Sequence, residues 1–432
     1  MQTSIKKEKI IFHIDMDAFF ASCTQAKYKQ LRNKPIAIAY NNKHSIIVAA
    51  SYESRKYGIK SAMNLVEAKK KCPNLIVVEP EHSLYIETSK KIWELIGEKF
   101  SKKIEVASID ECYLDVSDLI NINKSVKTIA LEIQHEIYSK FKLTCSIGIS
   151  WNKFLAKMGT DLQKPSGITI LTPQNFKEKI WNLNIGKMIG VGNVTGASLI
   201  KNDINTIGEL AQISDAKIYE ILGRNGLILK QKANGIDDSV VSVQNNENKS
   251  ISNEVTLNRP TNNLEELEAI VKQITEHIFL RINIRNLLVK TVFVHVRYVW
   301  KNKNNETFNI TKHHLGRSKQ ITLENYENNF EILYASILEC FYYLQNPEKD
   351  ISLIGVGFTN LINVMQYNKQ ISFEDDPEKL NLTKPKVLEI IRDMNKKSKN
   401  LIITADKLQT SNPIQKKFID KNIDKKISNK KK

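Results

Sequence analysis

The first 150 residues alternate between two hydrophobic periodicities, and the order of that alternation restricts the fold more than any other feature. Residues 10–14 (IIFHI) are an apolar run of strand length. Residues 84–100 place Leu84, Thr88, Ile92 and Leu95 or Ile96 on one helical face. Residues 104–108 and 112–116 read as two strands that meet at Asp110-Glu111. Residues 125–141 return to helical spacing with Val126, Ile129, Ile133 and Ile137, and residues 143–149 (LTCSIGI) close as a strand. Strand, insertion, helix, strand, strand, helix, strand is the split βαβ arrangement. The insertion, residues 27–82, becomes a small subdomain.

Residues 173–243 read as a separate helical unit punctuated by glycines. The polar stretch VQNNENKS (243–250) reads as a linker. A second β-α-β-β-α-β pattern follows. It comprises SNEVTL, a helix near 263–285, VKTVFVHVRYVW, a polar hairpin near 303–322, a helix near 326–344, and ISLIGVGF. No sequence repeat links the halves; only the element order recurs. The expected class is α+β, multidomain. The polar hairpin carries His313, His314 and Arg317, which suit either a polyanionic contact or an exposed loop. Beyond about residue 364 no core pattern is sustained. Residues 415–432 hold eight lysines against two aspartates, which predicts a mobile basic tail.

A chain of 432 residues has room for roughly three domains, and 41% apolar residues exclude wholesale disorder. The 64 Lys and Arg against 47 Asp and Glu leave a net charge of +17. That excess points to a polyanion: nucleic acid first, an acidic membrane surface second. The competing reading is the Lys-, Asn- and Ile-rich coding of an AT-rich genome. The five cysteines are scattered, and none forms a CxxC pair, so neither a zinc site nor a disulfide framework is indicated. The N-terminal apolar run ends too soon in aspartates for a signal peptide, and no run approaches a membrane span. A soluble protein of a reducing cytoplasm is expected.

Five segments carry chemistry. IFHIDMDAFF puts Asp15 and Asp17 at the end of a buried strand, on one face by period-two alternation. Such carboxylates suit a hard cation; an Asp-x-Asp at a strand end also serves as an ordinary turn. SIDECYLD adds Asp110 and Glu111. Adjacent strand residues point to opposite faces, so both reach one ion only if the strand ends or bends there. The alternative is a solvated hairpin tip. YESR puts Tyr52 and Arg55 on one helical face, where a guanidinium beside a phenol suits a phosphate; an Arg paired with Glu53 is the plainer reading. Lys164 precedes Pro165, which biases its backbone away from helix and places an ammonium at a loop end. That ammonium is free to reach a phosphate, or simply solvated. In IGVGNVTGASLI, Gly190, Gly192 and Gly196 surround a helix start, where backbone N–H groups can approach phosphates or form an unremarkable helix–turn–helix.

Taken together these segments resemble one family, the Y-family translesion DNA polymerases, in their bacterial DNA polymerase IV branch. The ordered series is DMDAFFAS, SYESRKYGIKSAM, SIDECYLD, GISWNKFLAKMGTDLQKPSGI, the GVG hairpin, KSISNEVT and LIGVGFTNL, across residues 8–362. The resemblance implies a palm (1–26 and 83–172), fingers (27–82), a thumb with a helix-hairpin-helix (173–243), a linker (244–251) and a little finger (252–363). It implies that Asp15, Asp110 and Glu111 hold two Mg²⁺ ions, with Met16 lending a backbone carbonyl. It implies triphosphate contacts from Tyr52, Arg55 and Lys164. Phe20 matches the steric gate beneath the sugar and Phe19 its neighbour, while Asp17 matches the motif without being a main ligand. Gly190 and Gly192 match the thumb's DNA contacts.

Four positions depart from the family pattern. Thr24 stands in place of Glu, Ala49 in place of a hydroxyl residue, Ile189 in place of proline, and Ser252 in place of glycine. None removes a metal ligand. Gln370-Ile371-Ser372-Phe373 resembles a sliding-clamp-binding peptide, although Glu374 replaces the expected hydrophobe. The implied activity is template-directed addition of dNTPs to primer–template DNA by a monomer, with low fidelity and no proofreading. Two other readings stand beside it: a catalytically weak DNA- and clamp-binding scaffold, and a Y-family member that depends on accessory subunits.

Overall fold

The structure is a computed structural model that describes residues 9–41, 45–120, 125–243, 249–299 and 316–367. These fall into two compact units divided between residues 245 and 246. The centre of the first is a five-stranded sheet. Its strands lie in the order Ile104–Val106, Glu111–Asp115, Ile11–Met16, Cys145–Ser150, Ile168–Ile170. Ile11–Met16 runs antiparallel to both neighbours, and only Ile168–Ile170 pairs in parallel among these strands. This is the expected split βαβ unit with one added strand.

Alternation along Ile11–Met16 divides its residues between two environments. Phe12, Ile14 and Met16 join Ile92, Ile96, Ile129, Ile133 and Ile137 in one core. Those isoleucines come from helices His82–Lys99 and Val126–Phe141, close to the expected spans. His13 and Asp15 face the other way, toward helix Lys153–Leu162. That helix lies directly on the sheet because Gly148, the cross-strand partner of His13, has no side chain. A Cβ at Gly148 would stand 1.9 Å from the Ala156 carbonyl oxygen.

The inserted subdomain has a three-stranded sheet, ordered Ala49–Ala50, Ile36–Ile38, Ile76–Val78. Short helices Tyr52–Arg55 and Leu65–Lys71 accompany it, over a small core of Ala37, Ile47, Ile59, Ala68 and Cys72. The helical unit holds Phe176–Ile180, Asn193–Lys201, Ile207–Gln212, Asp215–Leu222 and Arg224–Ala233. Its core takes in Phe154, Leu155 and Met158 from the Lys153–Leu162 helix, so it packs continuously with the central sheet's own elements. All five cysteines are free and buried.

The second unit has a four-stranded antiparallel sheet: Gly316–Glu327, Leu287–Val299, Asp350–Asn363, Ser250–Thr261. Helices Leu264–Ile284 and Phe330–Leu344 bury Leu267, Val271, Ile274, Leu333, Ile337 and Phe341 against it. Counted in chain order, the strands run third, second, fourth, first; the equivalent four of the first unit run second, third, first, fourth. Element order recurs, but pairing does not. The spacing predicts a hairpin to about 322 and a helix from 326. Instead the strand continues to Glu327, and Asn329 caps a helix that starts at Phe330 by accepting from the Glu331 and Ile332 N–H groups. His313 and His314, the 370–373 peptide and the Lys-rich tail lie outside the described residues. No helix among the described residues is long and apolar enough to cross a membrane.

Candidate active site

Strand pairing fixes two of the acids. Asp15 lies directly opposite Glu111 across an antiparallel pair, and opposite Ser146 on its other side. Glu111 is the first residue of its strand, and Asp110 precedes it in the turn. The strand ends where the sequence required it to for both acids to face one region. Ser108 Oγ donates to Asp110 Oδ1 at 2.6 Å, and the Met16 N–H donates to the Asp110 carbonyl at 2.9 Å. The turn is thereby tied to the end of the Ile11–Met16 strand.

Asp17 has a different task. It shares the face of Asp15 but is buried, and its carboxylate is taken by three donors. Ser146 Oγ and the Ser166 N–H each donate at 2.8 Å, and Tyr52 Oη donates at 3.3 Å. Asp17 therefore ties the loop carrying Lys164 and the helix carrying Tyr52 to the central strands.

A cavity of about 350 Å³ opens at this strand end. Asp15, Met16, Phe19, Phe20, Ala49, Tyr52, Arg55, Asp110 and Lys164 all line it. Tyr52 and Arg55 come from one helical turn capped by Ser51, whose hydroxyl accepts from the Ser54 N–H. Arg55 lies 4.6 Å over the Tyr52 ring and donates to the Ala50 carbonyl. It has no carboxylate partner among the described residues, so pairing with Glu53 is not its role. Phe20 stacks on Tyr85 with centroids 4.1 Å apart and planes 11° apart. Thr24, where the family pattern has Glu, is fully buried. It donates to the Phe20 carbonyl and bonds the Tyr85 hydroxyl at 3.0 Å, so it braces the ring pair.

The charges are balanced by lysines. Lys164 Nζ is not free at a loop end: it stands 2.7 Å from Asp15 Oδ2 and 3.1 Å from Asp161 Oδ1. Two facing acids without a cation attract the nearest ammonium. Burial opposes the charge on Lys164, yet its two aspartates hold it above the usual lysine range. Burial pushes Asp15 up to about 7 against the pull of Lys164, and Glu111 adds to the rise. The His13 ring and the Lys157 ammonium both border Glu111, and the ammonium holds its carboxyl below the usual carboxylate range. The ammonium is the closer of the two, at 2.5 Å against 3.7 Å for the ring nitrogen, which is beyond hydrogen-bond reach. Among the described residues no three His, Cys, Asp or Glu side chains converge to hold an ion as they stand. The donor set itself, three carboxylates at one strand end with two lysines offsetting them, fits a hard divalent cation that would replace those lysines.

Three family signatures match the chain. The impB/mucB/samB family signature covers residues 14–161, its C-terminal domain 248–373, and the IMS family HHH motif 173–204. A curated relative named DNA polymerase IV, from Oceanobacillus iheyensis, is 34% identical across 97% of this chain and 99% of its own length. The chain belongs to the Y family of DNA polymerases. DNA polymerase IV 1 of Bacillus subtilis is 35% identical, covering 86% of this chain and 87% of its own. A chimeric Y-family DNA polymerase of known structure superposes with a TM-score of 0.68 at 24% identity, over 82% of this chain and 99% of that one. The fold is accordingly a split-βαβ palm with inserted fingers, a helical thumb and a little finger. Family membership carries DNA-directed DNA polymerisation, divalent-metal dependence, and primer–template DNA and dNTPs as substrates.

Gly190 and Gly192 stand away from this cavity, in the thumb. Gly190 has φ +94°, a conformation that favours glycine, and Gly192 precedes helix Asn193–Lys201. Sequence reasoning missed His13, Lys157, Tyr85 and Gly148. His13 was within reach, since it alternates with Asp15 on one strand. Lys157 lies seven residues before Lys164 in the same motif, but nothing in its spelling marks a partner.

Proposed function

We propose that this chain is a lesion-bypass DNA polymerase in which Asp15, Asp110 and Glu111 hold two Mg²⁺ ions and Met16 lends a backbone carbonyl. One observation carries the reading. Asp15 and Asp110, at the palm strand end, border the same cavity as Tyr52, Arg55 and Lys164, which suit a triphosphate, and Glu111 lies opposite Asp15 in register. Phosphoryl transfer asks mainly for positioning and charge compensation, and this set supplies both. When bound, the ions supply Lewis-acid stabilisation of the attacking and departing oxygens.

The chain's own residues do the rest. The Arg55 guanidinium and Lys164 ammonium bind phosphate oxygens, and Tyr52, oriented by Asp17, adds a phenol beside them. Phe20, held flat on Tyr85, lies under the sugar and excludes a 2′-hydroxyl, with Phe19 beside it in the pocket. Gly190 and Gly192 offer backbone N–H groups to the DNA backbone. The protein works as a monomer in the cytoplasm, with low fidelity and no proofreading, and Gln370-Ile371-Ser372-Phe373 docks on a sliding clamp.

The test is primer extension with Mg²⁺ and each single dNTP or rNTP. Short, distributive, error-tolerant extension that rejects rNTPs supports the reading. Asp110→Asn is expected to abolish synthesis and keep primer–template binding; undiminished turnover would remove the metal assignment. Tight DNA binding without extension by the natural chain would favour the scaffold or accessory-subunit readings instead.

A further inference from the structure

Lys157 has no part in the chemistry above. It projects from helix Lys153–Leu162, and its Nζ stands 2.5 Å from Glu111 Oε2. Both side chains are mostly enclosed, at 25% and 21% exposure. The close seat of that helix on Gly148 brings the ammonium into reach. Lys164 does the same for Asp15 from beyond the helix end. Each of two facing carboxylates thus carries one ammonium.

Glu111's other neighbour cannot take that place. Thr160 Oγ is within hydrogen-bond distance of the His13 and Ala156 carbonyls, and carbonyls only accept. Its one proton goes to them, so its oxygen accepts from His13 Nδ1 at 2.9 Å. In the neutral ring Nε2 then bears a lone pair. That atom is buried, has no hydrogen-bond partner, and faces Glu111. Lone pair against carboxylate gives no attraction, which leaves Lys157 to offset the charge.

We propose that Lys157 is a built-in counter-ion for Glu111, occupying its carboxylate in the metal-free protein and yielding it when a divalent cation binds. The inference rests on the reading of Glu111 as a metal ligand. A hard cation needs the same oxygen lone pairs that the ammonium holds, and the two positive charges repel at a few ångströms. Lys157 therefore has opposite effects on the two states: it stabilises the metal-free palm and weakens ion binding.

The experiment is a Mn²⁺ titration of the nucleotide-free full chain, following the electron paramagnetic resonance of the free ion, with thermal melts alongside. Lys157→Met should lower Tm without metal, and the deficit should shrink at saturating Mn²⁺. Its Mn²⁺ affinity should rise about tenfold, as expected for removing one nearby charge in a partly exposed site. Lys157→Arg keeps the charge and should bind Mn²⁺ as the natural chain does. Unchanged or weaker binding by Lys157→Met, or tightening by Lys157→Arg as well, would overturn the counter-ion role. Absence of Mn²⁺ uptake by the natural chain would instead remove the metal reading, and the inference with it.

Discussion

Asp15 and Glu111 occupy directly opposed register positions on neighbouring antiparallel strands, so backbone pairing alone brings the two carboxylates together. Asp110 joins them from the turn before the strand, with Ser108 Oγ donating to it. The consequence is a sharp one for Glu111→Gln, which preserves shape and removes charge. Its kcat should fall by about a thousandfold, the scale of losing a main stabiliser of developing charge. Primer–template Kd should stay within about threefold, because duplex contacts are spread over many phosphates. Single-turnover incorporation and fluorescence anisotropy measure the two quantities separately.

The stacked Phe20–Tyr85 pair predicts a selectivity change. If Phe20 is the proposed gate, Phe20→Ala opens the space beneath the sugar, and rNTP discrimination should drop by about 10² while dNTP use persists. Parallel kcat/KM values for a matched dNTP and rNTP test this. Retained discrimination would show that another group excludes the 2′-hydroxyl.

Asp17 predicts a split between kinetic constants. In Asp17→Asn the amide oxygen can keep Ser146 and Tyr52, which share one carboxylate oxygen, but the NH₂ group then faces the Ser166 N–H, another donor. The Lys164 loop loses its tether at Ser166, while Asp15, Asp110 and Glu111 stay in place. The dNTP KM should rise about tenfold with a smaller change in kcat, as for lost binding contacts. A kcat loss at unchanged KM would assign Asp17 to the chemistry instead.

These cases show which parts of the site are written in the chain. DMD after an apolar run marks Asp15, and SIDECYLD marks Asp110 and Glu111, as carboxylates at strand ends; the residues alone leave a plain turn or hairpin tip open, and only the family resemblance implies a metal-ligand role. The roles of Asp17 and Thr24 are not visible there, since each depends on partners far along the chain: Ser146 and Ser166 for one, Tyr85 for the other. Lys157 reads as one lysine among many. Gly148 reads as a neutral strand residue, because what matters is the absence of a side chain. In the second unit, periodicity gave the elements in order, yet a βαββαβ series is compatible with more than one strand permutation, and only side-chain packing selects among them.

Tyr52 gives a pH prediction with a definite sign. Burial, then the charge of Asp17, pushes its phenol up to about 12. Below its unfolded value near 10 both states are protonated and contribute no difference. Between about pH 10 and 12 the unfolded chain releases the proton and the folded one keeps it, so stability falls as pH rises. Tyr52→Phe should flatten that part of the alkaline arm. Urea midpoints at pH 9, 10 and 11 for both proteins check it; parallel curves would refute the burial of the phenol.

Two glycines in contact separate a packing requirement from a conformational one. A Cβ on Gly148 meets backbone at 1.9 Å (Ala156 O) and 2.4 Å (Thr160 N), neither of which can turn aside. The Lys153–Leu162 helix must then lift from the sheet, carrying Lys157 from Glu111 and Thr160 from His13. Gly148→Ala should cost about 3 kcal/mol, the upper range for overpacking. A Cβ on Gly159 meets the Gly148 Cα at 3.5 Å and Leu171 at 3.6 Å, ordinary contact in a helix interior. Gly159→Ala should be tolerated and add up to about 1 kcal/mol through helix propensity. Chemical denaturation of the two variants reads both signs. If Gly148→Ala also lowers single-turnover incorporation while Gly159→Ala does not, the seat of that helix matters to catalysis as well as to folding. If the two behave alike, the close approach at Gly148 is not what holds the lysines at the acids.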